Sequence, residues 1–231
     1  MRREGERISE TPLLYRKVVR VAIAFSPVTA IDFYFDPACP WTWITAEWVR
    51  EVAPRRDLDV TWKTYSLVVK NGAGMPDQYR IPLEAQWPGL RIIEQARLDY
   101  GNDAVSALYR SFGTAIHHDG DSMLETLEEC VKAAGVDVSV LSAADDEALD
   151  AGIHVSTAAG VAFVGAEVGI PIIAVENLPM SYFGPVMSPA PTGDDALRLW
   201  DAYLTLASID GVYEIKRTRT VGPTFGPRPN V

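Results

Sequence analysis

The stretch Phe35-Asp36-Pro37-Ala38-Cys39-Pro40-Trp41-Thr42 sets a cysteine where a strand gives way to a helix. Upstream, Ile31-Asp32-Phe33-Tyr34-Phe35 is short, aromatic and β-favouring, as a buried strand should be. Asp36-Pro37-Ala38 breaks that strand, and the pattern then predicts a helix from Pro40 to about Ala53. Trp41, Ile44, Trp48 and Val52 recur at intervals of three and four residues and define its apolar side. Pro40 suits the first helical position, where a missing N–H costs nothing. Cys39 is therefore expected at the N-cap, facing unpaired amides and the positive end of the helix dipole. Both effects favour the thiolate, which is the nucleophilic form.

Leu58 to Leu67 reads as a second strand parallel to the first, so the chain opens β-α-β with a right-handed crossover. A helical middle follows over Pro82–Leu98, Ala104–Ile116, Ser122–Ala134 and Asp145–Val164, with breaks at Gly101, His118-Asp119-Gly120 and Gly135. Asp121 or Ser122 is a candidate N-cap, and Glu125 stands where it would complete a capping box on Ser122. Strand character returns at Ile172–Val175 and Met180–Phe183, joined by the turn residues Glu176-Asn177-Leu178-Pro179. A last helix covers Asp194 to Ser208, and an irregular tail rich in Pro and Gly follows the basic Lys216-Arg217-Thr218-Arg219. The expected fold is α/β: β-α-β, an all-helical insertion, then β-β-α in one mixed sheet. Residues 31–75 and 165–220 form the sheet domain, 76–164 the insertion, 1–30 an N-terminal extension and 221–231 a C-terminal tail.

The bulk numbers bound the function. The 231 residues are 48% hydrophobic and 23% charged, an ordinary globular composition. A net charge of −10 counts against nucleic-acid binding, which needs a basic footprint. No apolar run approaches bilayer length. Arg2 and Arg3 precede the apolar segment Val18–Phe25, but Arg20 interrupts it and Glu4, Glu6 and Glu10 oppose a secretory reading. The only cysteines are Cys39 and Cys130, with none of the clustering of a zinc site, so no metal is expected. Cys130 lies in a helical stretch with Leu124, Leu127 and Val131 and reads as a small buried apolar residue. His117-His118-Asp119-Gly120-Asp121 reads as a helix end favoured by histidine rather than as a metal loop.

On these residues the sequence resembles the thioredoxin superfamily, and within it the DsbA-like branch. Cys39-Pro40-Trp41-Thr42 stands in the place of that family's Cys-x-x-Cys, and the helical middle resembles the branch's inserted domain. Val168-Gly169-Ile170-Pro171 resembles the family's cis-proline loop. The resemblance implies that Pro171 is cis and that the Ile170 backbone is free to pair with a bound thiol substrate. Read without it, Pro171 is a trans proline that begins a strand.

Asp32-Phe33-Tyr34-Phe35-Asp36-Pro37, Cys39-Pro40-Trp41, Trp43-Ile44-Thr45, Phe183-Gly184-Pro185-Val186 and Lys216-Arg217-Thr218-Arg219-Thr220 resemble the actinobacterial mycothiol-dependent nitroreductases, from about Ile31 to Thr220. This resemblance implies a cytoplasmic reductase of small molecules, monomer or homodimer, that uses mycothiol as reductant, with glutathione as the alternative thiol. It also implies Asn71 and Tyr79 near the mouth of the thiol pocket; read on their own, they are a turn asparagine and a helix-start aromatic. Trp41 either stacks on a flat substrate or packs beneath the insertion. The basic cluster before the tail either receives an anion or is a solvated surface.

The departure from the family is Thr42, where such proteins commonly carry a second cysteine. Threonine cannot resolve a mixed disulfide. Three routes are open: a monothiol cycle resolved by an external thiol; a kappa-class-like transferase or isomerase in which Cys39 holds a thiol cofactor and Thr42 donates to sulfur; or a non-catalytic binding protein.

Overall fold

The computed structural model describes residues 28–231, and the apolar segment Val18–Phe25 lies outside the described residues. Strand β1 spans Thr29–Phe35, α1 Pro40–Val52 and β2 Leu58–Thr64. After the helical middle come β3 at Ile172–Val175, β4 at Tyr182–Phe183 and α8 at Gly193–Ala207. The sheet runs β2-β1-β3-β4, with β2 parallel to β1 and with β3 and β4 antiparallel to their neighbours. This is the mixed sheet of the expected thioredoxin fold.

Side chains along β1 alternate between two faces. Ile31, Phe33 and Phe35 enter the main core with Trp48 of α1 and Trp200 of α8, while Tyr34 joins a smaller cluster with Cys39, Tyr65, Ile170 and Ile172. The two helices are tied by Trp48, whose indole donates to the Ala196 carbonyl at 3.0 Å. Tyr203 of α8 donates to the Ile173 carbonyl at 2.5 Å, fixing that helix to β3.

Between the halves of the sheet lie α2 (Leu67–Asn71), α3 (Asp77–Glu84), α4 (Trp87–Tyr100), α5 (Asn102–Thr114), α6 (Met123–Ala133) and α7 (Asp150–Val164). Helices of this set dock on β2, the strand at the edge of the sheet. Asn102, which opens α5, accepts from the Trp62 amide and donates to the Val60 carbonyl, both at 2.8 Å, so one amide side chain does the work of a missing neighbour strand. Further along, Ser156 of α7 donates to the Thr64 carbonyl at 2.6 Å, and Thr64 donates to the buried Glu94 carboxylate, which also pairs with Arg97. Among the described residues no helix is long and apolar enough to cross a membrane.

Several expected boundaries shift for physical reasons. The second strand stops at Thr64 rather than Leu67, because Ser66 caps α2 by accepting from the Val69 amide at 3.2 Å. The hairpin strand shrinks from Met180–Phe183 to Tyr182–Phe183. The helix expected over Pro82–Leu98 is two helices, α3 and α4, with Pro88 in the first turn of α4. The one expected from Asp145 begins at Asp150, after 3-10 turns over Val138–Asp145 and Glu147–Leu149. Ser122 does stand at the N-cap of α6, but its side chain makes no capping bond; its carbonyl accepts from the Glu125 amide at 3.1 Å.

Trp43, buried in α1, needs a close approach from α5. A Cβ built on Gly113 would lie 2.2 Å from the Trp43 ring. Gly113→Ala should therefore lower stability by about 1–3 kcal/mol through overpacking, although alanine is ordinarily the better helix former. Chemical denaturation checks this, and an unchanged or raised midpoint would contradict the packing.

Candidate active site

Because β3 is antiparallel to β1, the C-terminal end of one and the N-terminal end of the other share an edge. Tyr34 pairs with Ile172, so Asp36 to Cys39 and Ile170–Pro171 leave the sheet side by side. Ile170–Pro171 is a cis peptide, and Ile170 packs in the same small cluster as Cys39. The Phe183-Gly184-Pro185 segment braces this turn. The Gly184 amide donates to the Pro171 carbonyl at 2.8 Å, and Thr45 of α1 donates to the Pro185 carbonyl at 2.9 Å. Gly184 holds a φ of +113, and a Cβ there would meet the Val186 nitrogen at 3.1 Å, which is why glycine stands in that motif.

Cys39 is the N-cap of α1 and Pro40 its first residue. The thiol is only 7% exposed, packed with Tyr34, Tyr65, Ile170 and Ile172 and flanked by Trp41, Leu67, Val161 and Val164. Here the structure corrects the expectation of a ready-made thiolate. Burial pushes the Cys39 thiol above its ordinary value; the Thr42 hydroxyl and amide and the Trp41 amide pull it down, and the Asp36 carboxylate adds to the upward push. Desolvation outweighs the helix dipole, whose effect is confined to the first turn. Burial therefore opposes a resting thiolate at the helix start.

Thr42 is fully buried, and its hydroxyl has no partner of good hydrogen-bond geometry. Lying close enough to the sulfur to favour the charged form, it is a donor held in reserve for a thiolate. Asp36, part of the sequence motif but given no role there, is 3% exposed. Its carboxylate accepts from the Ala38 and Leu67 amides, both at 3.0 Å, joining the cysteine loop to the start of α2. Burial pushes Asp36 up to about 6 in spite of those bonds.

Trp41 is half-buried, and the Arg219 guanidinium lies 4.9 Å over its ring, a contact that no sequence pattern signals. Lys216 and Arg217 are exposed. Asn71 ends α2 on the surface, donating to the Leu67 carbonyl at 2.9 Å and accepting from Lys70 at 3.0 Å. Tyr79 in α3 is 59% exposed. Tyr79 is not part of the apolar cluster packed around the sulfur. Cys130 is a free thiol buried in the main core, a different cluster from that of Cys39. Among the described residues no group of three or more His, Cys, Asp or Glu is arranged to hold a metal. His117 and His118, expected at a helix end, do close α5, and His117 reaches across to the Pro37 carbonyl at 2.8 Å.

The opposing influences on the sulfur can be separated. At fixed pH, Thr42→Val should slow iodoacetamide labelling of Cys39 several-fold by removing a donor that favours the thiolate. Asp36→Asn should speed it by removing a repelling charge. Site-resolved mass spectrometry reads both, and changes of the same sign would contradict the assignment.

The family model described as Rv2466c-like, mycothiol-dependent nitroreductase Rv2466c, matches residues 38–217. A Mycobacterium tuberculosis (strain ATCC 25618 / H37Rv) protein, uncharacterized protein Rv2286c, is 27% identical over 197 residues, 84% of this chain and 84% of its own length. Among solved structures, the cytosolic disulfide reductase DsbM of Pseudomonas aeruginosa with GSH superposes with a TM-score of 0.53 at 17% identity, covering 77% of this chain and 100% of that one. The probable DsbA oxidoreductase SCO1869 of Streptomyces coelicolor gives 0.52 at 16% identity, covering 83% and 94%. At such identities the structural likeness speaks for the fold alone, a DsbA-like thioredoxin fold. The sequence match reaches further, from the cysteine motif to the basic cluster: the chain belongs to the Rv2466c-like family of mycothiol-dependent nitroreductases.

Proposed function

We propose that the protein reduces small organic molecules at the expense of mycothiol, with Cys39 as its single working thiol and with Asn71 and Tyr79 beside the incoming thiol. The observation that carries this is Cys39 at the N-cap of α1 against the Ile170–Pro171 turn, in a chain whose family match spans that motif. On this reading the protein works in the cytoplasm, as a monomer or homodimer.

The cycle balances without a second protein thiol. Cys39 gives up its proton and, with one small thiol, forms a mixed disulfide; the two electrons and two protons released reduce the acceptor. A second small thiol then attacks the mixed disulfide, leaves as the small-molecule disulfide, and returns Cys39 to the thiol. Two thiols are oxidised for each two-electron reduction. The chain's own residues supply the setting. Thr42 and the first amides of α1 stabilise the departing thiolate, and Trp41 packs against the cluster that holds the sulfur. Among the described residues the Ile170 amide and carbonyl have no backbone partner, so an extended thiol substrate has groups to pair with.

The raised thiol pKa favours a second reading, in which Cys39 and Thr42 hold a thiol cofactor by hydrogen bonds, as in a transferase or isomerase. Intact-mass measurement after incubation with mycothiol disulfide, and separately with glutathione disulfide, distinguishes the two. The reductase reading expects a mycothiol adduct on Cys39 that free mycothiol removes, and a loss of thiol-dependent turnover of roughly a hundredfold or more in Cys39→Ser. Thiol binding without an adduct supports the transferase. Turnover intact in Cys39→Ser would sink the monothiol route.

A further inference from the structure

Consecutive histidines reach the cysteine loop and the helix that follows it. The last turn of α5 widens over Ala115–Asp119 and closes at Gly120, whose φ is +77, a local irregularity of the kind often found at functional sites. This carries His117 Nε2 to within 2.8 Å of the Pro37 carbonyl and His118 Nε2 to 3.3 Å from the Trp43 indole nitrogen. A carbonyl only accepts, so His117 bears its proton on Nε2. An indole N–H only donates, so His118 Nε2 is bare and its proton sits on Nδ1. The two rings therefore carry opposite tautomers. Burial lowers His117 to about 4 and lowers His118 as well, so both are neutral at neutral pH.

The Pro37 carbonyl and the Ala38 N–H belong to one rigid peptide plane. His117 holds its oxygen, and Asp36 Oδ1 holds its N–H at 3.0 Å. The plane that leads into Cys39 is thus clamped at both edges, by the inserted helices on one side and by the loop's own carboxylate on the other. The C-terminal segment closes over this clamp. Phe225 lies 5.4 Å from the His117 ring and 5.5 Å from that of His118. Arg228 pairs with Asp119 through two bonds of 2.7 and 2.8 Å, and Pro229 is buried. Ser188 fixes the segment's start, donating to the Gly222 carbonyl and accepting from the Thr224 amide, both at 2.8 Å.

We propose that His117 is a positioning residue for Cys39, and that the C-terminal segment through Phe225 and Arg228 is the strap that keeps it in place. The proposal rests on Cys39 being the working thiol but on no particular substrate. Removing the imidazole leaves the Pro37 carbonyl unpaired and admits water beside a sulfur whose ionisation burial now opposes. Labelling of Cys39 should then become faster, not slower.

The test is the iodoacetamide rate of Cys39 at fixed pH, site-resolved so that Cys130 is counted apart, with circular dichroism to establish folding. His117→Ala should speed labelling by about fivefold, the factor one hydrogen bond is worth. His117→Gln, which restores an N–H donor, should return most of the wild-type rate. Phe225→Ala should speed labelling as well, and combined with His117→Ala it should add little, because both act through the same ring. Rates within twofold of wild type in folded His117→Ala and Phe225→Ala would overturn the proposal, and so would fully additive effects. If His117→Ala does not fold, Phe225→Ala and Arg228→Ala decide it alone. Because no mycothiol enters the assay, failure here and failure of the reductase reading remain distinguishable.

Discussion

The antiparallel pairing of β1 with β3 is the constraint on which the site depends. It sets Tyr34 opposite Ile172, and so brings the end of one strand and the beginning of the other to the same edge. The loop carrying Cys39 and the turn carrying Ile170–Pro171 have nowhere to go but alongside each other. Parallel pairing would have sent them to opposite ends of the sheet. Local chemistry completes the site: Pro40 starts the helix, Cys39 becomes its N-cap, and the small cluster around Tyr34 and Tyr65 seals the sulfur from water.

That seal decides the resting chemistry. A cysteine at a helix N-terminus is usually discussed as a thiolate, but the dipole's influence is modest beside the cost of charging a buried group. Here the Asp36 carboxylate adds an opposing charge to the cost of burial, while the buried Thr42 hydroxyl supplies the compensating donor. Burial and the neighbouring carboxylate thus oppose ionisation of this thiol, and the Thr42 hydroxyl favours it. The chain has no neighbouring thiol beside Cys39: Cys130 lies in the other cluster. The inserted helices reach the loop that carries the sulfur through His117 on the Pro37 carbonyl, and the C-terminal segment ties to the same helices through Arg228 on Asp119.

Local patterns in the sequence made the core of this legible. The aromatic strand, the helix behind Pro40 and the alternation of helical and strand segments follow from spacing, and the mixed sheet with a helical insertion follows from their order. The DsbA-like assignment comes from the resemblance of the cysteine and proline motifs. The errors also have local causes: Ser66 ends β2 early by capping a short helix, and Pro88 restarts one helix as another. The features that stayed hidden are non-local. Nothing near Asn102 indicates that it would bond to the edge of β2, and nothing near His117 indicates a carbonyl 80 residues away. The tail reads as irregular because it lacks periodicity, and it is irregular. Its docking depends on Phe225, Arg228 and Pro229 meeting surfaces built from other segments.

Whether Cys39 works as a solitary thiol answering to small external thiols is tested most directly by disulfide mapping after diamide oxidation, with and without mycothiol. Cys39 and Cys130 should stay unlinked without mycothiol, and with it Cys39 alone should become a mixed disulfide. A Cys39–Cys130 disulfide, or an adduct on Cys130 with Cys39 left free, would contradict the solitary role.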